Sequence, residues 1–293
     1  MVVVVVAVFA GGAVWATTRW PSSEVVATTT PSTTRVLPTT STTSTTVEST
    51  TTVASSGVPW ATTLVLAPTS SGDLTGDHVY LDPGHNGRNY AFSSSINQLV
   101  PAGAGLKACD TTGTATDAGY PEHAFAWRMA LLVSASLRAR GATVILSRAN
   151  DDGVGPCVNV RGTLGATVRA DVALSIHADG GPPNGRGFAV LEPAGIGPSA
   201  AVTNESRALG DALASALATS GMPASSYDGV NGVAVRRDLA GLNLSTVPKV
   251  LLECGNMRNN TDAALLSSAS WQASAASILA NALAAWLLSH AAS

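Results

Sequence analysis

Three stretches decide the fold: HVYLDPGHNG at residues 78–87, VALSIHADG at 172–180 and KVLLECGNMRN at 249–259. Each begins as a short apolar run of the kind that forms a buried strand. Each then ends on a side chain that apolar packing does not ask for: His85, His177 and Glu253. A buried imidazole or carboxylate is costly unless it is paired or coordinated. In open α/β sheets, sites assemble just past the carboxyl ends of the strands. Three such groups at equivalent strand ends therefore point to one site.

The rest of the chain supplies the helices between these strands. Residues 122–140 read as a helix, with Phe125, Met129 and Leu132 on one face and Ala126, Val133 and Leu137 beside them. Gly141 stops it. ATVIL at 142–146 and GFAVL at 187–191 read as further strands, and 161–169, 200–219, 261–268 and 271–288 as further helices. Strands separated by amphipathic helices predict an α/β fold, a mostly parallel twisted sheet with helices on both faces. One catalytic domain over 77–290 accommodates all of it.

Composition narrows the function. The 293 residues carry 16 Lys+Arg against 19 Asp+Glu, a net charge of -3. That balance excludes the basic surface of a nucleic-acid binder. At 45% hydrophobic residues the chain is not disordered as a whole. Only Lys107 and Lys249 are lysines, which reads as codon bias.

Two N-terminal segments stand apart. Residues 2–16 (VVVVVAVFAGGAVWA) are apolar without a charge, short for a spanning helix and suited to the core of a secretory signal. Residues 1–20 are thus expected to be a signal peptide or membrane anchor, although no basic residue precedes the run and Arg19 follows it. Residues 21–70 read as a Ser/Thr/Pro-rich disordered linker. From Ala27 to Ser56, 20 of 30 residues are Ser or Thr, too little apolar surface to offset chain entropy.

A fourth candidate, Glu122, opens the helix after Tyr120-Pro121. A carboxylate there also simply complements the helix dipole, and His123 beside it is a rival ligand. The series LDPGHNG, a helix-start Glu, Arg161 ahead of LSIHADG, and LLECGNMRN resembles the zinc-dependent N-acetylmuramoyl-L-alanine amidases of bacterial cell walls. The resemblance covers about residues 77–290. It implies His85, Glu122 and His177 as ligands of one Zn2+, Glu253 as the catalytic base, and structural or supporting roles for Asp82, Arg161 and Asn259. The implied substrate is peptidoglycan or a muropeptide, cut between N-acetylmuramic acid and L-alanine of the stem peptide. A zinc peptidase acting within the stem peptide, or a non-catalytic wall-binding module, are the alternatives. The chain is expected to be an exported monomer of the cell wall or periplasmic space, either secreted or anchored to a membrane through its N-terminal segment alone.

Two features accompany the resemblance. Cys109 and Cys157 lie in loop-like segments and are expected to form a disulfide, leaving Cys254 buried and free on the opposite strand face from Glu253. The insert between Asn89 and Gly119, rich in Ser, Gly, Thr and Ala, reads as a cleft-shaping loop without a core or a part in catalysis.

Overall fold

The computed structural model describes residues 57–290. The apolar run and most of the Ser/Thr tract lie outside the described residues. Nine strands occur among those described: β1 (Leu64–Leu66), β2 (His78–Pro83), β3 (Leu99–Pro101), β4 (Leu106–Ala108), β5 (Thr143–Leu146), β6 (Val172–Asp179), β7 (Ala189–Pro193), β8 (Val233–Arg236) and β9 (Lys249–Asn256). The helices are α1 (Ser93–Ile96), α2 (Glu122–Ala139), α3 (Val158–Thr167), α4 (Ala200–Leu217), α5 (Ala240–Asn243), α6 (Asn260–Leu266) and α7 (Ala269–His290).

Seven strands form one sheet in the order β1-β5-β2-β6-β9-β7-β8. The central β5, β2, β6 and β9 run parallel, as do β7 and β8. Only the β1–β5 and β7–β9 pairs are antiparallel. The alternation of side chains along each strand assigns two faces. Val79, Leu81, Val144, Leu146, Val172, Leu174, Ile176, Val190, Val250, Leu252 and Cys254 point to one side, into a core completed by α2, α4 and α7. Tyr80, Ile145 and Ala173 point to the other, against Leu164 of α3, while Ala189 and Leu191 meet Leu242 of α5. This second face carries the site. Asp82 follows Tyr80, Ser175 and His177 follow Ala173, and Glu253 follows Leu251 at the same period of two.

The α/β expectation is met, with two boundaries corrected. The linker expected over 21–70 runs too far, because Leu64–Leu66 pairs antiparallel with β5 and the Ala61 N–H donates to the Val154 carbonyl at 2.9 Å. Three apolar residues were enough there because β5 already offered a free edge. The insert also has more structure than a loop: a helical turn at Asn89–Phe92, α1, and the β3–β4 hairpin. The C-terminal α7 is long and apolar enough to cross a membrane by composition alone. Its Trp271, Ala275, Leu279 and Leu283 belong to the main core, which accounts for that composition.

One buried group works against the fold. Glu192 of β7 faces α4, where Gly210 has no side chain: a Cβ there would lie 2.2 Å from Glu192 Oε1. That oxygen has no hydrogen-bond partner. Burial, with Asp211 nearby and only Arg207 opposing, raises the Glu192 carboxyl to about 7. A raised acid stabilises the fold fully below its unfolded value and loses that contribution as pH rises through the folded one. Glu192→Gln should therefore match wild type near pH 4 and be more stable by about 2–3 kcal/mol at pH 8. Denaturant unfolding of both proteins at the two pH values checks this.

Candidate active site

Three side chains converge at the carboxyl edge of the sheet. His85 lies just beyond β2, Glu122 opens α2, and His177 sits near the end of β6. His85 Nε2 is 3.1 Å and His177 Nδ1 2.8 Å from the same oxygen, Glu122 Oε1. One ligand atom from each of the three lies within 4.8 Å of the others. The two rings meet edge to face at 5.0 Å between centroids.

The chain around them allows this approach. Gly84 lies flat against the His177 ring, and a Cβ there would fall 2.2 Å from Cε1. Gly113, at φ +74, would place a Cβ 2.7 Å from His85 Cδ2 and 2.8 Å from Glu122 Oε2. His85 itself adopts φ 55, an uncommon conformation for a residue with a side chain. The Arg161 guanidinium accommodates it, donating to the His85 carbonyl at 2.8 Å. Arg148, fully buried, donates to the carbonyls of Pro83, Gly84 and His123, bracing the same loop against the start of α2.

Electrostatics favour positive charge at this point. Burial opposes ionisation of Glu122, yet His85 and His177 hold its carboxyl well below the usual carboxylate range. Burial likewise opposes the His85 imidazolium, but Glu122 and Asp110 more than reverse it, to about 10. Two imidazoles and one carboxylate, drawn together around a centre that attracts a cation, could hold a metal ion.

Glu253 shares the cleft with the three, beside Thr111, Thr114, Asp179 and Leu239. The β6–β9 register sets it directly opposite His177. Its Oε2 is buried with no hydrogen-bond partner. Burial, with Glu122 and Asp179 near, raises its pKa well above that of an ordinary carboxylate. Tyr227 is hydrogen-bonded to Asp179, which lines the same cleft. Its ring lies where Cβ atoms on Gly181 and Gly185 would be, at 2.5 Å in each case.

Asp82 is buried between Arg161 at 2.8 Å and Lys249 at 3.0 Å. Asn259 caps α6, accepting from Thr261 and Asp262. His123, the rival to Glu122, turns away from the three and pairs with Asp151 at 2.7 Å. Cys109 and Cys157 are bridged, and Cys254 is free and buried. The insert differs from the expectation of a loop that only shapes access. Thr111 accepts from His85 through its carbonyl, and the Thr114 N–H donates to Glu122 Oε2 at 2.9 Å. Its second half is thus a wall of the centre itself. Its contribution comes largely through backbone groups, which composition does not reveal. Arg148 also escaped notice, although it follows the strand ATVILS in the same way that His85 and His177 follow theirs, and Lys249 was read only as codon bias.

An α/β sheet that gathers two imidazoles and two carboxylates at its carboxyl edge defines a metal-dependent hydrolase. The N-acetylmuramoyl-L-alanine amidase family (Amidase_3) matches residues 79–285, and the chain belongs to it. It is 41% identical over 236 residues to the N-acetylmuramoyl-L-alanine amidase Rv3717 of Mycobacterium tuberculosis, covering 78% of this chain and 94% of that protein. The crystal structure of an N-acetylmuramyl-L-alanine amidase from Mycobacterium smegmatis superposes with a TM-score of 0.70 at 44% identity, covering 74% of this chain and 99% of that one. The apo form of the Mycobacterium abscessus amidase gives 0.69 at 41%, covering 73% and 99%. The chain is a peptidoglycan hydrolase, an N-acetylmuramoyl-L-alanine amidase that acts on the cell wall.

Gly84→Ala tests the geometry of the centre. The added methyl has to displace the His177 ring, so bound metal and amidase activity should both fall by about 10- to 100-fold, while far-UV circular dichroism stays native. Metal analysis after gel filtration reads the first, and dye release from labelled sacculi the second.

Proposed function

We propose that His85, Glu122 and His177 hold one zinc ion and that Glu253 is the general base and acid of amide hydrolysis. The observation that carries this is the convergence of His85 Nε2 and His177 Nδ1 on one Glu122 oxygen, with the unpartnered Glu253 carboxylate in the same cleft. When bound, such an ion polarises the scissile carbonyl and lowers the pKa of water to near 7.

The chain's own groups do the remainder. Glu253 takes a proton from the water that attacks the lactyl carbonyl, then delivers it to the nitrogen of the departing L-alanine. Between the two steps Glu253 holds the proton, and its burial favours that protonated form. Glu122 serves the metal and Glu253 the proton, which separates the duties of two carboxylates in one cleft. Arg161 and Arg148 hold the His85 loop still while this happens. We assign residues 1–20 to a leader or anchor and the following Ser/Thr tract to a tether, with the enzyme working as a monomer outside the cytoplasmic membrane.

Glu253→Gln should retain zinc and fold while losing about 10²- to 10⁴-fold in turnover, since only the base is removed. His177→Ala should lose the metal. Metal analysis reads the zinc content of both variants, and mass spectrometry of products from a purified muropeptide reads turnover, wild type releasing the intact stem peptide and a chelator stopping it. Near-normal turnover by Glu253→Gln would assign the proton transfer to another group.

A further inference from the structure

The His85 imidazole faces two ways. Its Nε2 meets Glu122, and its Nδ1 meets three acceptors in one short segment: the Thr111 carbonyl at 3.1 Å, Thr111 Oγ1 at 3.2 Å and Asp110 Oδ1 at 3.3 Å. A proton satisfied at Nδ1 leaves Nε2 as the electron-pair donor and fixes the ring direction.

That segment is anchored to the start of α3 by three independent links. Cys109, fully buried, is bridged to Cys157, the residue before α3. The Val158 N–H donates to the Cys109 carbonyl at 2.6 Å. Arg161 donates to Asp110 Oδ2 at 3.1 Å and, with the same nitrogen, to the His85 carbonyl at 2.8 Å. Asp110 Oδ1 also accepts the Thr111 N–H at 2.8 Å, so Asp110 orders the neighbouring acceptor as well as offering its own. Apart from α3, residues 109 and 110 are held through their backbone N–H groups only by the insert itself, at the carbonyls of Gln98 and Ile96.

We propose that the Cys109–Cys157 cross-link, together with Arg161, seats Asp110 and Thr111 against His85 and thereby sets the affinity of the metal centre. Asp110 is a positioning residue that acts through His85. The inference rests on the reading of His85, Glu122 and His177 as zinc ligands. It gives the disulfide a role in the folded enzyme beyond its restriction of the unfolded chain.

The test uses full-length enzyme stripped of metal and titrated with zinc alone against a chromophoric chelator. Thermal unfolding and circular dichroism of the metal-free proteins report folding separately. Asp110→Ala should weaken zinc binding by about 10- to 100-fold, and Asp110→Asn, which keeps an acceptor, by less. Cys109→Ser/Cys157→Ser should weaken it by about 10-fold. The combination of the serine pair with Asp110→Ala should bind zinc no more weakly than Asp110→Ala alone, because both changes act on one contact. If the serine pair lowers the melting temperature but binds zinc like wild type, or if the effects multiply in full, the inference is overturned. Should Asp110→Ala not fold, Asp110→Asn with the serine pair makes the same comparison. Undiminished zinc uptake by His85→Ala would instead overturn the ligand assignment beneath it.

Discussion

The parallel pairing of β6 with β9 puts His177 opposite Glu253, and the rest of the centre is built outward from that register. A slip of one residue in either strand would turn its site residue into the apolar face and bring Ile176 or Leu252 to the cleft. The register is secured by what lies beneath it. Leu174, Ile176, Val250 and Leu252 are wholly buried in the core with α2, α4 and α7. The strand ends can therefore carry groups that pack poorly, because the strand bodies are committed to one face. Cys254, next to Glu253, belongs to that core, and so a nearby thiol stays out of the site.

Around this pair, the structure buries several charges and satisfies them mutually. Arg161 joins Asp82, Asp110 and the His85 carbonyl, and Lys249 closes on Asp82 from the far side. Burial opposes ionisation of Asp82, and the two cations hold it far below the usual carboxylate range nonetheless. Removing one member of such a web leaves the others buried and unpaired, a cost of about 3–5 kcal/mol. The web lies directly under the His85 loop. Rigidity of the loop, and so of His85, is what this arrangement supplies beyond simple apolar packing.

The sequence carried most of this fold and part of its site. The strand-end residues His85, His177 and Glu253 were legible because each interrupts an apolar run. Glu122 was not, since a carboxylate after Pro121 serves a helix start equally well. Only the family pattern favoured it over His123. Thr111 and Thr114 were invisible because they act largely through backbone groups, and Asp110 because its carboxylate sits on an irregular loop without a periodicity. Val233–Arg236 and Ala240–Asn243 were missed because four residues are too few to show a period. Leu64–Leu66 was hidden by the Ser/Thr composition on either side. Lys249 was dismissed with the general scarcity of lysine, although a lysine opening the apolar run VLL has to find a buried partner.

The central proposal is that two imidazoles and one carboxylate, and no other side chain among the described residues, hold the metal. X-ray absorption at the zinc edge of the zinc-loaded full-length enzyme tests it most directly. The account predicts a shell of nitrogen and oxygen scatterers at about 2.0–2.2 Å, with outer-shell scattering that fits two imidazoles. A sulfur shell at about 2.3 Å would bring Cys254 into the site, and a third imidazole would bring in His123. Either result would contradict it.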